Sequence, residues 1–151
     1  MSIYYLDDIE KILQIFKPDI VQLPISLFDQ RFLHDGTLAA LAKEGIEIHA
    51  RSVFLQGLPF ICTSQLPNYF NKWKYFLDDF SSDCKLFETT PDQIFTSFLS
   101  TINELDGYVV GFNNNREMDC FMTNCFVGFN DYFLKYECKD TGLIDPYKWQ
   151  I

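Results

Sequence analysis

Apolar residues recur along the chain at two different spacings, which predicts helices separated by short strands. A spacing of about three or four residues, as at Leu6, Ile9 and Leu13, is typical of one buried helix face. This spacing predicts helices over Leu6 to Phe16, Thr37 to Glu44, Leu66 to Phe80, Pro91 to Ile102 and Glu117 to Phe129. Short apolar runs predict strands over Ile20 to Pro24, Ile46 to Arg51 and Gly107 to Gly111.

The order of these elements indicates the fold class. Helices that alternate with short buried strands are typical of α/β proteins whose strands run parallel. A length of 151 residues suits one domain. We therefore predict a single α/β domain over residues 1–151, with a tail at residues 138–151 that packs on it through aromatic side chains.

Two polar loops follow the first two predicted strands. The loop Arg51 to Gln56 ends at Gly57, where extended structure should stop and the chain should turn. The loop Ser26 to Gly36 contains Asp29 and Arg31, which are expected to form a local ion pair. Because loops at the carboxyl ends of parallel strands carry the chemistry in such folds, we expect the functional residues here.

Composition and charge exclude several classes of partner. The chain is 48% hydrophobic and 17% aromatic, which favours a folded core over disorder. Its formal net charge of -9 argues against nucleic acid and anionic membrane surfaces as partners. The segment Met1 to Phe16 is acidic, unlike a signal peptide, and no apolar run approaches the length of a membrane span. The expected location is therefore the cytoplasm.

The cysteines predict neither a disulfide framework nor a zinc site. Their number is odd, and no two of them stand in a Cys-x-x-Cys spacing; they are Cys62, Cys84, Cys120, Cys125 and Cys138. Reduced thiols, as in cytosolic proteins, are the expectation.

Three stretches of the chain together resemble the aldo-keto reductases. They are Asp19-Ile-Val-Gln-Leu-Pro-Ile-Ser-Leu-Phe-Asp-Gln-Arg31, Gly45-Ile-Glu-Ile-His-Ala-Arg-Ser-Val-Phe-Leu-Gln-Gly57 and Asp106-Gly-Tyr-Val-Val-Gly-Phe-Asn-Asn-Asn-Arg-Glu-Met118. In order and separation they are similar to the sixth, seventh and eighth strands of that (β/α)8 barrel. The motif Arg-Ser-x-Phe-Leu-Gln-Gly is most similar to a bacterial branch associated with surface-sugar biosynthesis.

The resemblance implies a partial TIM barrel, the C-terminal half of the family's fold, with parallel strands. A complete barrel of this type takes about 250 residues, so the N-terminal half would be missing. In the family that half supplies the catalytic Tyr, Lys, Asp and His, with the Tyr donating a proton while the nicotinamide gives its hydride. We therefore expect the cofactor-binding half of an NAD(P)H-dependent carbonyl oxidoreductase, inactive by itself.

The resemblance also implies a set of cofactor-binding residues on the first two strands. Gln22 matches the glutamine that holds the nicotinamide carboxamide, which needs both a donor and an acceptor. Arg51 stands where many members have an aromatic residue stacked on the nicotinamide. Ser52, Phe54 and Gln56 match the loop that wraps the pyrophosphate.

At the third strand the resemblance implies a site for the adenosine phosphate of NADP or NAD. Gly111, Asn113, Asn114 and Arg116 match the turn that leads into a helix N-terminus, where an anion is favoured. Arg116 could pair with a 2′-phosphate. Glu117 departs from the family pattern, and its carboxylate would repel a phosphate.

The expected partners are the nicotinamide cofactor, a small carbonyl or sugar substrate, and either a second copy or a missing N-terminal half. Half a barrel has two open sheet edges, so self-association is expected. Two other hypotheses stay open. One is a non-catalytic binding or interaction module derived from the barrel. The other is an independent small α/β fold, in which the strands would not be neighbours in sequence order.

Overall fold

A small parallel sheet lies at the centre of the fold. The computed structural model describes residues 1–123 and 131–151. Within these ranges three strands are hydrogen-bonded in the order β1 (Ile20–Pro24), β2 (Glu47–Arg51) and β3 (Gly107–Tyr108). Both pairs run parallel, with Val21 opposite Ile48 and Ala50 opposite Tyr108. The predicted parallel α/β arrangement is therefore confirmed, with neighbouring strands in sequence order.

Helices connect and flank these strands. The α-helices of the described ranges are α1 (Leu6–Ile15), α2 (Thr37–Lys43), α3 (Lys74–Leu86), α4 (Pro91–Leu99), α5 (Asn115–Thr123) and α6 (Thr141–Ile144). Short 3-10 helices lie at Leu55–Phe60, Thr63–Gln65, Asn68–Trp73, Asp131–Tyr136 and Pro146–Lys148. α2 leads into β2 through Gly45, whose φ of 69° is a conformation that glycine adopts without strain.

Some predicted boundaries are confirmed and others are wrong. β1 has the predicted limits, and α1 ends one residue early. The helix predicted over Leu66 to Phe80 starts instead as a 3-10 helix at Asn68, and α3 continues it to Leu86. Asp83 lies inside α3 and is buried, and its carboxylate is paired with Lys135 Nζ at 2.8 Å. The sequence pattern of apolar residues did not include that pair.

The third strand and the helix after it also differ from the prediction. β3 ends at Tyr108 rather than Gly111, although the Val109 amide still donates to the Ala50 carbonyl at 2.8 Å. α5 begins at Asn115, so part of the predicted polar turn is helical. The predicted helix continued to Phe129, but residues 124–130 lie outside the described ranges.

The two faces of the sheet have different chemistry. Val21, Leu23, Ile48 and Ala50 point to one face and are completely buried. Alternation places Gln22 and His49 on the other face, where both are half-buried. This second face is therefore largely polar.

Aromatic rings form the centre of the core on the loop side of the sheet. Phe28, in the loop after β1, is fully buried. Its ring centroid lies 5.0 Å from that of Phe76, 5.1 Å from that of Phe80 and 4.9 Å from that of Phe95. All three pairs are edge-to-face, the arrangement that aromatic quadrupoles favour. Phe28 therefore fastens the first carboxyl-end loop to α3 and α4.

The outer edge of β1 is covered, which corrects the expectation that this edge is open. The Gln22 amide donates to the Met1 carbonyl at 2.7 Å, and the Ile3 amide donates to the Gln22 carbonyl at 3.0 Å. Ser2 lies opposite Gln22 in a parallel bridge. In the described part of the chain β3 pairs on one side, with β2, so the expected open edge applies to β3 alone.

The segment after residue 138 packs on the domain. Leu143 and Ile144 of α6 are buried in the common core. The Trp149 ring meets Phe70 edge-to-face at 4.9 Å, and its indole N–H donates to the Leu143 carbonyl at 3.0 Å. Among the described residues, no helix combines the length and apolar character that crossing a membrane requires.

Replacing Phe28 by alanine should destabilise the fold strongly. Removing a fully buried ring leaves a cavity and costs about 3 to 5 kcal/mol, a large part of the roughly 5 to 15 kcal/mol of a typical domain. Urea denaturation followed by circular dichroism measures the change. Tyr75→Ala, at a side chain that is 87% exposed, is the control and should change stability by less than about 0.5 kcal/mol. Equal effects of the two substitutions would contradict the role of Phe28.

Candidate functional site

A cavity of about 520 Å³ opens at the carboxyl ends of β1 and β2. Pro24 and Arg51, the last residues of the two strands, are opposite each other in the register and both line it. The cavity therefore lies where parallel α/β proteins place their ligands. Its other walls come from the loop after β1, the loop after β2, the 3-10 helix at Asn68–Trp73 and the segment from Ile144 to Ile151.

Arg31 brings one positive charge to this cavity and is paired. Its Nε donates to Asp29 Oδ1 and its Nη2 to Asp29 Oδ2, each at 2.8 Å, which confirms the predicted local ion pair. The Asp29 side chain is 1% exposed. Burial raises the pKa of the Asp29 carboxyl, and the bonds from Arg31 oppose that rise. Arg31 is thus held in place by the two-pronged bond and its charge is offset.

Arg51 brings a second positive charge, which is paired less completely. Its Nη1 donates to Ser52 Oγ at 3.2 Å, and its Cζ lies 3.9 Å from the centre of the Tyr4 ring. The other two guanidinium nitrogens, Nε and Nη2, are shielded from water and have no hydrogen-bond partner within the described residues. Leaving a buried donor unpaired costs roughly 1 to 3 kcal/mol, and more when it is charged. The side chain therefore retains two donor nitrogens without a partner beside the cavity.

The backbone after β2 is strained. Ser52, Leu55 and Gln56 have φ values of 55°, 44° and 54°, in the left-handed region that side chains with a Cβ avoid. Each such residue costs on the order of 1 to 3 kcal/mol, and such strain concentrates at ligand sites. The strained turn directs Ser52 and Gln56 to the cavity wall.

Two tyrosines far apart in sequence meet at the cavity. The hydroxyl groups of Tyr4 and Tyr147 are 2.9 Å apart, and their rings are edge-to-face at 5.2 Å. The bond with Tyr4 raises the pKa of the Tyr147 hydroxyl. Asp145, two residues before Tyr147, is buried and also lines the cavity. Segments from both ends of the described chain thus complete a site built on the sheet.

The predicted cofactor residues on the first two strands fall into two groups. Arg51, Ser52 and Gln56 line the cavity together. Gln22 lies on the same face of the sheet as Pro24, two residues earlier in β1. Its side-chain oxygen accepts a hydrogen bond from Ser2 Oγ at 3.3 Å. Phe54 faces away from the cavity and packs between Phe60, Phe95 and Phe121.

The predicted phosphate residues lie at the start of α5 and do not line the cavity. Glu117 Oε2 accepts from the Asn113 backbone amide at 2.9 Å, and Oε1 accepts from the Asn114 side chain at 3.0 Å. Asn114 Oδ1 in turn accepts from the Glu117 amide at 3.0 Å, which caps the helix. The carboxylate thus takes up donors that a phosphate would need. Gly111 and Arg116 are exposed beside it.

Sequence reasoning missed part of the cavity wall. Asp145, Tyr147 and Trp149 lie in the predicted packing tail and were not predicted as site residues, and no role was predicted for Tyr4. The polar loop after β1 had indicated Arg31, although only as the partner of Asp29. The spacing of these residues along the chain carries no signal, because contacts between distant segments bring them together. Within the described residues, no group of three His, Cys, Asp or Glu side chains is placed to hold a metal ion.

No protein-family model matches the chain, and no curated protein matches it either. The resemblance to aldo-keto reductases therefore stands on the three quoted stretches. The function has to be inferred from the cavity and from those residues.

Replacing Gln56 by glycine should stabilise the fold by up to about 1 kcal/mol. Glycine adopts the φ of 54° and ψ of 28° found here without the strain that a Cβ imposes. The matched control is Gln65→Gly, at a position without positive φ, where glycine should cost about 0.5 to 1 kcal/mol. Urea denaturation of both variants measures the difference. A loss at Gln56 equal to that at Gln65 would show that this turn is not strained.

Proposed function

We propose that this chain is the cofactor-binding half of an aldo-keto reductase-like oxidoreductase, with the fold of a partial (β/α)8 barrel. In this proposal the nicotinamide end of NADP or NAD binds in the cavity at the carboxyl ends of β1 and β2. The substrate in the parent family is a small carbonyl compound or sugar. The hydride chemistry needs catalytic residues that the matched stretches do not supply.

One observation carries this proposal: three residues predicted from the resemblance line one cavity. Arg51 is the last residue of β2, and Ser52 and Gln56 follow it. All three line the cavity at the carboxyl end of this strand. The cavity volume of about 520 Å³ is within the range of small-molecule sites. The order β1-β2-β3, with parallel neighbours, is the order that consecutive barrel strands would have. Gln22 lies two residues before Pro24, on the same face of β1.

The adenosine end should contribute little to binding. Glu117 accepts three hydrogen bonds from Asn113 and Asn114 at the start of α5. A phosphate would have to displace this carboxylate and would be repelled by it. We therefore expect affinity for the whole cofactor of about 100 μM or weaker, with the nicotinamide end dominant.

The chain alone should not reduce carbonyl compounds. The proton donor and its partners belong to the half of the family's barrel that the three stretches do not match. Oxidation of NADPH and NADH, measured with a panel of aldehydes and sugars, should not exceed the rate without protein. Gln22→Ala is the control for contaminating host enzymes. Turnover by the purified wild type that this substitution abolishes would overturn the prediction.

Removing the charge of Glu117 should strengthen cofactor binding. Glu117→Gln removes a negative charge that repels the phosphate, an interaction of about 1 kcal/mol at 4 Å in water, or up to about fivefold in affinity. Arg116→Ala should have the opposite effect. Quenching of tryptophan fluorescence by NADPH measures both, since Trp149 lines the cavity.

The control for the Glu117→Gln variant is Glu10→Gln. Glu10 is exposed on α1, so its substitution makes the same change in net charge away from the site. If NADPH fails to bind at millimolar concentration, or if Glu117→Gln and Glu10→Gln behave alike, the adenosine site is not retained.

The second candidate function is a non-catalytic binding module. The observation that favours it is the closed network at the start of α5, which suits helix capping better than phosphate binding. In that case the cavity would bind a small ligand other than the nicotinamide cofactor. Titration with NADPH and with nicotinamide mononucleotide separates the two candidates, because saturable binding of either compound supports the first and binding of neither supports the second.

A further inference from the structure

Not every charged side chain that lines the cavity has an ion-pair partner. Arg31 is paired with Asp29 through two bonds of 2.8 Å. Asp145 lies 3.9 Å from Lys148 and accepts a bond from the Tyr147 amide at 3.3 Å. Arg51 contacts the neutral groups Ser52 and Tyr4. Of the charged groups that line the cavity, Arg51 is the one with no ion-pair partner in the described part of the chain.

The unused donors of Arg51 form a defined pair. Nε and Nη2 are the two nitrogens that Arg31 uses to hold the Asp29 carboxylate. In Arg51 the same two nitrogens are buried without a partner, while Nη1 is occupied by Ser52. Two parallel N–H groups on one edge of a guanidinium match the two oxygens of a carboxylate. Arg31 and Asp29 show within this protein what that edge binds.

We propose that Arg51 is the anchor of a site for a small monocarboxylate with an apolar or aromatic body. The Tyr4 ring covers the face of the guanidinium, and hydrogen bonds form in its plane, so stacking and carboxylate binding do not compete. A single unpaired positive charge suits one negative charge better than the two of a phosphate monoester. The wall beyond Arg51 is apolar, with Leu58, Ile61, Phe70 and Trp149.

A side-chain movement accompanies binding. Because Nε and Nη2 are shielded from water, a carboxylate reaches them after a neighbouring group shifts. Tyr4 is the ring in contact with Arg51, and its hydroxyl bonds to Tyr147, which is 76% exposed. A shift of the exposed Tyr147 leaves Tyr4 stacked on Arg51 and lets a ligand ring meet the apolar wall. Binding of the carboxylate gives two charge-assisted hydrogen bonds to Arg51 nitrogens that otherwise have no partner.

This inference rests on the proposed function in one respect, namely that the cavity is a ligand site. It names the chemical class of the ligand rather than the cofactor. The two can fail separately, because the test compounds contain no nucleotide. Binding of phenylacetate without binding of NADPH would support the carboxylate site and count against the cofactor site, and the reverse result would overturn the carboxylate site.

The first test compares three ligands on the wild-type protein by isothermal titration calorimetry. Phenylacetate should bind saturably. Phenylacetamide, which has the same shape without the charge, should bind at least about tenfold more weakly, as should phenyl phosphate. Equal affinity for the acid and the amide, or tighter binding of the phosphate, would overturn the proposal. So would the absence of saturable phenylacetate binding.

The second test changes the anchor. Arg51→Gln should weaken phenylacetate binding at least about tenfold, and Arg51→Lys should lie between it and the wild type, since lysine keeps the charge but not the paired donors. Lys43→Gln, which removes an exposed positive charge on α2 outside the cavity, is the matched control and should bind as the wild type does. Unchanged binding by a folded Arg51→Gln variant, checked by thermal melting, would overturn the proposal.

Discussion

The parallel register between β1 and β2 is the constraint on which the site depends. It sets Pro24 opposite Arg51, so the two loops that follow leave the sheet at one edge and face each other. A slip of one residue would turn every side chain of β1 to the opposite face. It would place Gln22 in the apolar core and Val21 on the polar face, so burial itself enforces the register. The position of the cavity is thus a consequence of which residues avoid water.

The first carboxyl-end loop shows how a functional surface can be held without regular structure. Phe28 anchors the loop from beneath, among the rings of α3 and α4. One residue later Asp29 uses its buried carboxylate to orient Arg31 toward the cavity. A hydrophobic anchor and a charged partner within a few residues make the loop rigid at its centre. In the described loop after β2 no ion pair holds the chain, and left-handed backbone conformations position Ser52 and Gln56 instead.

The sequence determined local elements well where the signal is local. β1 was predicted to the residue because Pro24 limits it and its apolar residues suit a buried strand. β3 was predicted too long because its end depends on pairing with β2, a contact between distant segments that a sequence pattern does not contain. Arg51 was indicated by its position at the end of β2. Its unused nitrogens could not be predicted, because they depend on Tyr4 and on the exact fit of the surrounding wall.

The contact between Tyr4 and Tyr147 closes one wall of the cavity, and the local stability of this wall is separate from that of the sheet. These residues are 143 positions apart, so their contact closes a long loop, and the sheet does not need it in order to stay paired. Segments of this kind open with free energies well below that of global unfolding. Loss of this contact would therefore open the wall while β1 and β2 remain paired. Hydrogen exchange of the backbone amides from Asp145 to Ile151 would then measure opening of the site to small molecules rather than unfolding of the whole protein.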